Sequence, residues 1–345
     1  MRAARLHGYT EDVAEALTVE EVDRPTIETP DQIVVEVEGA GWCQTDNHIV
    51  EGMWAEYVVQ DLPMTLGHEN AGTVVEVGES VTTVDVGDAV LLHPVRTCGT
   101  CRACRLGEDM YCENSAFSGL DADGGFAEYL LTSERSAVTL EDVDPVDIAP
   151  HADAGITAYH AAKRAAAELV PGTYVVLVGI GGLGHIGLQA VDAMSAARTI
   201  AVDVKDEALS LADRLGADHT IDSASEDVAE AVASITDGAG AAQVLDFVGA
   251  DETTDLAPEI VSPGGDHHVV GYGGDVHRPA QDLVNGEFDY RGNLVGTYTE
   301  LQELVSLVEQ GEIHLTTTEY DLEEINEVAA KLQRNEIEGR AVITP

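Results

Sequence analysis

Lysine is nearly missing from this chain. Of 345 residues only Lys163, Lys205 and Lys331 carry it, and the other 14 of the 17 basic residues are arginines. Against them stand 64 Asp and Glu, a formal charge of 17 − 64 = −47 spread along the whole sequence. Such a surface repels phosphate backbones, so no nucleic-acid partner is expected. It also repels itself unless salt screens it, the Debye length being only about 3 Å at 1 M. The composition is that of a halophile's protein. Long apolar runs are absent as well: nowhere do about 18 uninterrupted apolar residues occur. The opening MRAARLHGYTEDVAEAL has no apolar core followed by a small-residue cleavage site. The chain is expected to be cytoplasmic, with no membrane span or membrane partner.

What is present suffices to fold. Hydrophobic residues make up 44% and recur with strand or helix period, which excludes a disordered acidic polymer. The length suits two domains, because single cores stop growing near about 250 to 300 residues. The first 150 residues alternate β-rich runs with Gly and Asp turns; Ile33 to Val37, Gly72 to Val77 and Ala89 to Leu92 read as antiparallel strands. From about Ala154 the rhythm becomes helix, strand Tyr174 to Val178, helix Leu183 to Ser195, strand Thr199 to Val202 and helix Glu207 to Leu215. Alternation of that kind means βαβ units and a parallel sheet. Further strands are expected at Gln243 to Phe247, His268 to Val270 and Asn293 to Val295. Beyond Thr297, helical segments Leu301 to Glu309 and Leu322 to Arg334 and a last strand Arg340 to Ile343 return to the first domain. The expected domains are 1–153 with 297–345, and 154–296.

The strand Tyr174 to Val178 runs into Gly179-Ile-Gly181-Gly182-Leu183-Gly184 and a helix. In a G-x-G-x-x-G turn the first glycine allows the tight bend, the second lets backbone approach a pyrophosphate, and the third lets helix pack on strand. An acid, Asp203, ends the next strand 19 residues after Gly184, where a carboxylate can bond adenosine ribose hydroxyls. Its charge repels a 2′-phosphate and so favours NAD; Lys205, two residues on, keeps NADP possible.

Cys98, Cys101, Cys104 and Cys112 follow the spacing C-x2-C-x2-C-x7-C. Four thiolates can surround zinc at about 2.3 Å and leave no position for substrate, which makes such a site structural. Two disulfides or four reduced thiols are the alternatives, disfavoured by a cytosolic setting and the close C-x2-C pairs. The fifth cysteine, Cys43, lies in Gly-Trp-Cys-Gln-Thr45-Asp46-Asn-His48, and a second polar cluster, Gly67-His68-Glu69-Asn-Ala-Gly72, precedes a strand. Thiolate, imidazole and carboxylate with one position open is a catalytic zinc arrangement; a lone core cysteine is the plainer reading.

Together these segments, with the closing Gly339-Arg340-Ala-Val-Ile, resemble the zinc-dependent medium-chain alcohol dehydrogenases over essentially the whole chain, especially archaeal and haloarchaeal members. The resemblance implies an α/β fold: a GroES-like β-rich catalytic domain plus a Rossmann dinucleotide-binding domain with a parallel sheet. It implies two zincs per chain, one structural on the four-cysteine lobe and one catalytic on Cys43, His68 and a third ligand. That ligand falls on Asp153, where many members have cysteine, with Glu69 and His151 as rivals and a helix N-cap as the plain role of Asp153. It further implies Asp46 orienting His68, Thr45 and His48 as a proton relay, Thr157 near the nicotinamide, and Arg340 at the cofactor pyrophosphate. Phe117 either lines the substrate pocket or packs in the core, and His267 and His268 stay unassigned. The implied reaction is reversible oxidation of a primary or secondary alcohol with hydride transfer to NAD(P), by a homo-oligomer, tetramer or dimer. A sugar or polyol dehydrogenase of the same superfamily, and a non-catalytic zinc and nucleotide binding protein, are the alternatives.

Overall fold

The computed structural model describes residues 1–55 and 61–345. The chain divides into two compact units, one of Met1–Ile156, Thr297–Gly311 and Leu315–Pro345, the other of Thr157–Gly296 and Glu312–His314.

The first unit is built on the strand Gln32–Trp42, whose run of β-branched residues is buried along most of its length. It pairs antiparallel with Glu69–Val77, Tyr129–Ser133 and Arg340–Thr344. Beyond these partners the sheet of seven strands continues through Ala89–Leu92 to Ala137–Thr139 and, by a parallel step, to Thr317–Asp321. A smaller sheet joins Leu17–Glu21, Arg2–Leu6 and Met64–Thr65. Between them lies a core that includes Ile33, Val35, Leu66 and Ile343. Trp42 stacks on Phe126 with ring centroids 5.0 Å apart. Its indole N–H donates to Asn47 Oδ1 at 3.0 Å, and Asn47 Nδ2 donates to the Ala329 carbonyl at 3.3 Å. One buried side chain thus ties the short helix Gln44–Val50 to the helix Ile325–Gln333.

The second unit holds six strands, all parallel, in the order His219–Asp222, Arg198–Asp203, Tyr174–Val178, Ala241–Asp246, Val261–Val269, Asp289–Gly292. Counted along the chain this is 3-2-1-4-5-6, the doubly wound dinucleotide-binding order. The helices Gly184–Met194, Asp206–Arg214, Val228–Ile235, Asp251–Ile260 and Ala280–Gly286 make the five crossovers, and Val176, Ile200, Val202 and Val244 fill the core.

Most expected elements are found, several of them longer than expected: Ile33 to Val37 lies within Gln32–Trp42, Gly72 to Val77 within Glu69–Val77, and His268 to Val270 overlaps the end of Val261–Val269. Asn293 to Val295 is no strand: Val295 takes φ +48°, which a ladder does not accommodate. The edge strand is the preceding Asp289–Gly292, whose polar sequence hides it. Thr317–Asp321 escapes the pattern for the same reason. The helix after Asp153 spans Ala154–Ala166. Among the described residues no helix is long and apolar enough to cross a membrane.

Candidate metal and cofactor sites

Register in the first unit brings the two polar clusters together. Gly41 pairs with Glu69 across the ladder, so Cys43, just past the end of one strand, and His68, just before the other, are neighbours. Gly41 is required there, because a Cβ would run into the Glu69 carboxylate. Ligand atoms of Cys43, His68, Glu69 and Asp153 all lie within 4.8 Å of one another. A tetrahedral zinc with bonds of about 2.0 to 2.3 Å has donors about 3.3 to 3.8 Å apart. His68 Nε2 lies 3.4 Å from Asp153 Oδ2, inside that range. The donor chemistry, soft thiolate with imidazole and carboxylate, suits zinc.

The surrounding residues hold this set. On the far side of the ring, His68 Nδ1 stands 3.4 Å from Asp46 Oδ1, and Asp46 Oδ2 accepts the Cys43 backbone N–H at 2.9 Å. One buried carboxylate therefore orients both residues. Burial opposes a charge on His68, but Asp46 and Asp153 outweigh it and lift its pKa well above the usual value. Both oxygens of Glu69 are engaged: Oε1 accepts the Ala154 N–H at 3.1 Å and Oε2 meets Arg340 Nη2 at 2.5 Å. Burial opposes the Arg340 charge, yet Glu69 and Cys43 keep the guanidinium above its ordinary value. Arg340 is 5% exposed. The resemblance places this arginine at a pyrophosphate, and no local pattern points to its carboxylate partner. His151 is buried beside Gly155, outside the converging donors. Thr45 and His48, both half-buried, lie three apart on the helix Gln44–Val50 and so share a face. Phe117 sits against the metal-site imidazole, its ring centroid 5.6 Å from that of His68. Its strand partner is Val95, which no local pattern singles out.

In the cysteine lobe the sulfurs of Cys101 and Cys104 are 3.4 Å apart, and those of Cys98–Cys104 and Cys101–Cys112 are 4.0 Å apart. A ZnS4 tetrahedron has edges of about 3.8 Å. Cys98 Sγ accepts from Thr100 Oγ1 and Asn114 Nδ2, and Cys112 Sγ accepts the Cys98 N–H at 3.3 Å. The Thr100 backbone N–H, ahead of the other donors, draws the Cys98 thiol down to about 5, and the Cys104 N–H lowers Cys101. Burial pushes Cys104 up to about 12. Four sulfurs this close cannot all ionise without a cation among them, so the lobe too fits a metal.

In the second unit Gly179 has φ +85°, and a Cβ on Gly184 would strike the Gly179 carbonyl. Gly181 faces open space. Asp203 clasps the loop: Oδ2 accepts the Ile180 N–H at 2.7 Å and Oδ1 the Lys205 N–H at 3.0 Å. Gly182 and Leu183 lead into the helix Gly184–Met194, while Thr157 opens this unit and the Lys205 side chain is exposed. His267 and His268 are buried in the sheet, with His267 Nε2 3.5 Å from Asp246 Oδ2 and His268 Nε2 2.9 Å from Gln243 Oε1.

A β-rich unit with clustered thiolate, imidazole and carboxylate, joined in one chain to a dinucleotide-binding unit, defines an oxidoreductase of the nicotinamide-using class. Residues 29–142 match the alcohol dehydrogenase GroES-like domain, and residues 182–310 match the zinc-binding dehydrogenase family. The chain is 34% identical to the NAD-dependent alcohol dehydrogenase of Sulfurisphaera tokodaii, with all of both chains covered. It is 35% identical to the D-arabinose 1-dehydrogenase (NADP(+)) of Saccharolobus solfataricus, covering 96% of this chain and 95% of that one. The crystal structure of the alcohol dehydrogenase from Aeropyrum pernix superposes with a TM-score of 0.95 at 48% identity, covering all of both chains. The chain belongs to the zinc-type medium-chain alcohol dehydrogenase family.

Proposed function

We propose that this chain is a zinc-dependent, NAD-preferring dehydrogenase that interconverts a primary or secondary alcohol with its aldehyde or ketone, as a cytoplasmic homo-oligomer of a salt-adapted cell. The observation that carries the reading is the convergence of Cys43, His68 and Asp153 within 4.8 Å. Asp153 is the third catalytic ligand in this reading, because both oxygens of its rival Glu69 are taken by Ala154 and Arg340. A second zinc occupies the four-cysteine lobe.

Zinc held by Cys43, His68 and Asp153 supplies a Lewis acid that stabilises charge on an alcohol or carbonyl oxygen. The protein's own residues do the rest. Asp46 fixes the direction of the His68 ring and of the Cys43 backbone. Thr45 hands the alcohol proton toward His48, one turn along the same helix face. Burial, partly countered by Glu51, lowers the His48 pKa below its usual 6.5. The ring is therefore neutral at pH 7 and ready to accept that proton. Phe117 narrows the space in front of His68. In the second unit the glycine loop and Asp203 take the NAD pyrophosphate and ribose, with Thr157 beside the nicotinamide.

The test is turnover in molar salt with a short alcohol and with D-arabinose, each with NAD and NADP, followed at the reduced cofactor's absorbance alongside a metal count. Alcohol-dependent NAD reduction with two zincs per chain is expected. Faster turnover of the sugar would move the reading to a sugar dehydrogenase. Two zincs with no cofactor reduction on any substrate would leave a binding protein in its place. Cys43→Ser should remove one zinc and the activity while the fold survives; full turnover in that variant would take Cys43 out of the metal site.

A further inference from the structure

A cavity of about 500 Å³ opens in the first unit, between the strands Arg2–Leu6 and Tyr129–Ser133, and shares no lining residue with either metal cluster. In a chain so poor in cations, three arginines line it: Arg5, Arg24 and Arg96. Arg24 is already matched, 2.9 Å from Glu76 and stacked over the Tyr129 ring at 4.2 Å. Arg96 and Arg5 are held more loosely. Among the described residues no carboxylate comes within 4.0 Å of Arg96, whose Nε is buried without an acceptor and whose one hydrogen bond, from Nη1 to the Leu131 carbonyl, is long at 3.5 Å. Burial weakens this guanidinium's hold on its proton, and Asp121, Asp123 and Glu28 act on it only from a distance. Arg5 repeats the pattern: its Nε is buried without an acceptor, Nη2 donates to the Pro63 carbonyl, and Asp123 Oδ2 stands 4.0 Å from Nη1.

A half-buried cation with no carboxylate at hydrogen-bond distance is costly, and the planar fork of arginine matches a carboxylate. We propose that this cavity binds a small organic monocarboxylate, whose charge meets Arg96 and Arg5. Three features set the class. Asp23, Glu28 and Asp123 also line the cavity and repel a doubly charged anion. The volume far exceeds the roughly 30 Å³ that a water-sized ion would use. Val22, Leu130 and Leu131 supply apolar wall for a short hydrocarbon tail.

The experiment is calorimetric titration of the whole protein with sodium propionate in molar potassium chloride, at constant ionic strength. Saturable binding of about one propionate per chain is expected, with no saturable heat from sodium sulfate. Arg96→Gln should weaken binding about tenfold or more, which is about 1.4 kcal/mol. Arg5→Gln should weaken it as well and serves if the first variant does not fold. Arg24→Gln should bind like wild type. Heats no greater than dilution, sulfate binding as tightly as propionate, or wild-type affinity in folded Arg96→Gln would each overturn the proposal.

Discussion

Glu69 and Arg340, 271 positions apart in the chain, meet as a buried pair with 2.5 Å between Oε2 and Nη2. The pair sits beside Cys43 and, through the Ala154 N–H, next to Asp153. Arg340→Met strands a carboxylate in the interior. Breaking one partner of a buried pair costs about 3–5 kcal/mol, so the denaturant midpoint at fixed salt should fall sharply. Adding Glu69→Gln should recover part of that loss. A midpoint equal to wild type in Arg340→Met would show that the pair contributes little.

The cysteine lobe should answer to a different readout from Cys43. Cys101→Ser removes a sulfur that lies 3.4 Å from Cys104, and should lower the zinc count by one together with the thermal midpoint in high salt. An unchanged midpoint would deny the lobe a structural role.

Cofactor choice should turn on Asp203, whose carboxylate already accepts two backbone N–H groups. On the proposed reading, Asp203→Gly removes a negative charge from the place where a 2′-phosphate would lie. The ratio of NADP to NAD efficiency should rise about tenfold or more, equivalent to about 1.4 kcal/mol. A constant ratio would separate this acid from the ribose.

Acid should destabilise the second unit through His268. Burial, aided by the nearby Arg164 and Arg291 cations, pushes its folded pKa down to about 4, against about 6.5 unfolded. The unfolded ring binds a proton more readily, so stability is full above pH 6.5, declines from there to about pH 4, and levels off below. The contribution amounts to about 3 kcal/mol at most. His268→Gln should flatten the stability profile across that window; an unaltered slope would place the titration elsewhere.

How much of this is legible in the residues depends on where each signal resides. Buried strands such as Tyr174–Val178 announce themselves by continuous apolar runs, and the cysteine lobe does so because all four donors fall within 15 residues. Edge strands do not. Asp289–Gly292 and Thr317–Asp321 are half solvated, so polar residues satisfy them and the pattern disappears. Asn293 to Val295 misleads in the opposite direction, with apolar residues outside any strand where Val295 has φ +48°. The Glu69–Arg340 pair is beyond local pattern altogether, since only the pairing of Gln32–Trp42 with both Glu69–Val77 and Arg340–Thr344 brings it about. Likewise Val95 lies opposite Phe117 by strand register alone.

The first unit is assembled from both ends of the chain, with residues 157–296 inserted between them. The second unit is therefore drawn almost wholly from one continuous stretch, whereas the first must join segments far apart in the chain. The donors at positions 43, 68 and 153 lie in the first of those segments, and Glu69 gains its counter-charge only from residue 340. A chain that stopped short of residue 340 would still carry residues 43, 68 and 153, yet it would lack the last strand of that sheet and leave Glu69 with no opposite charge.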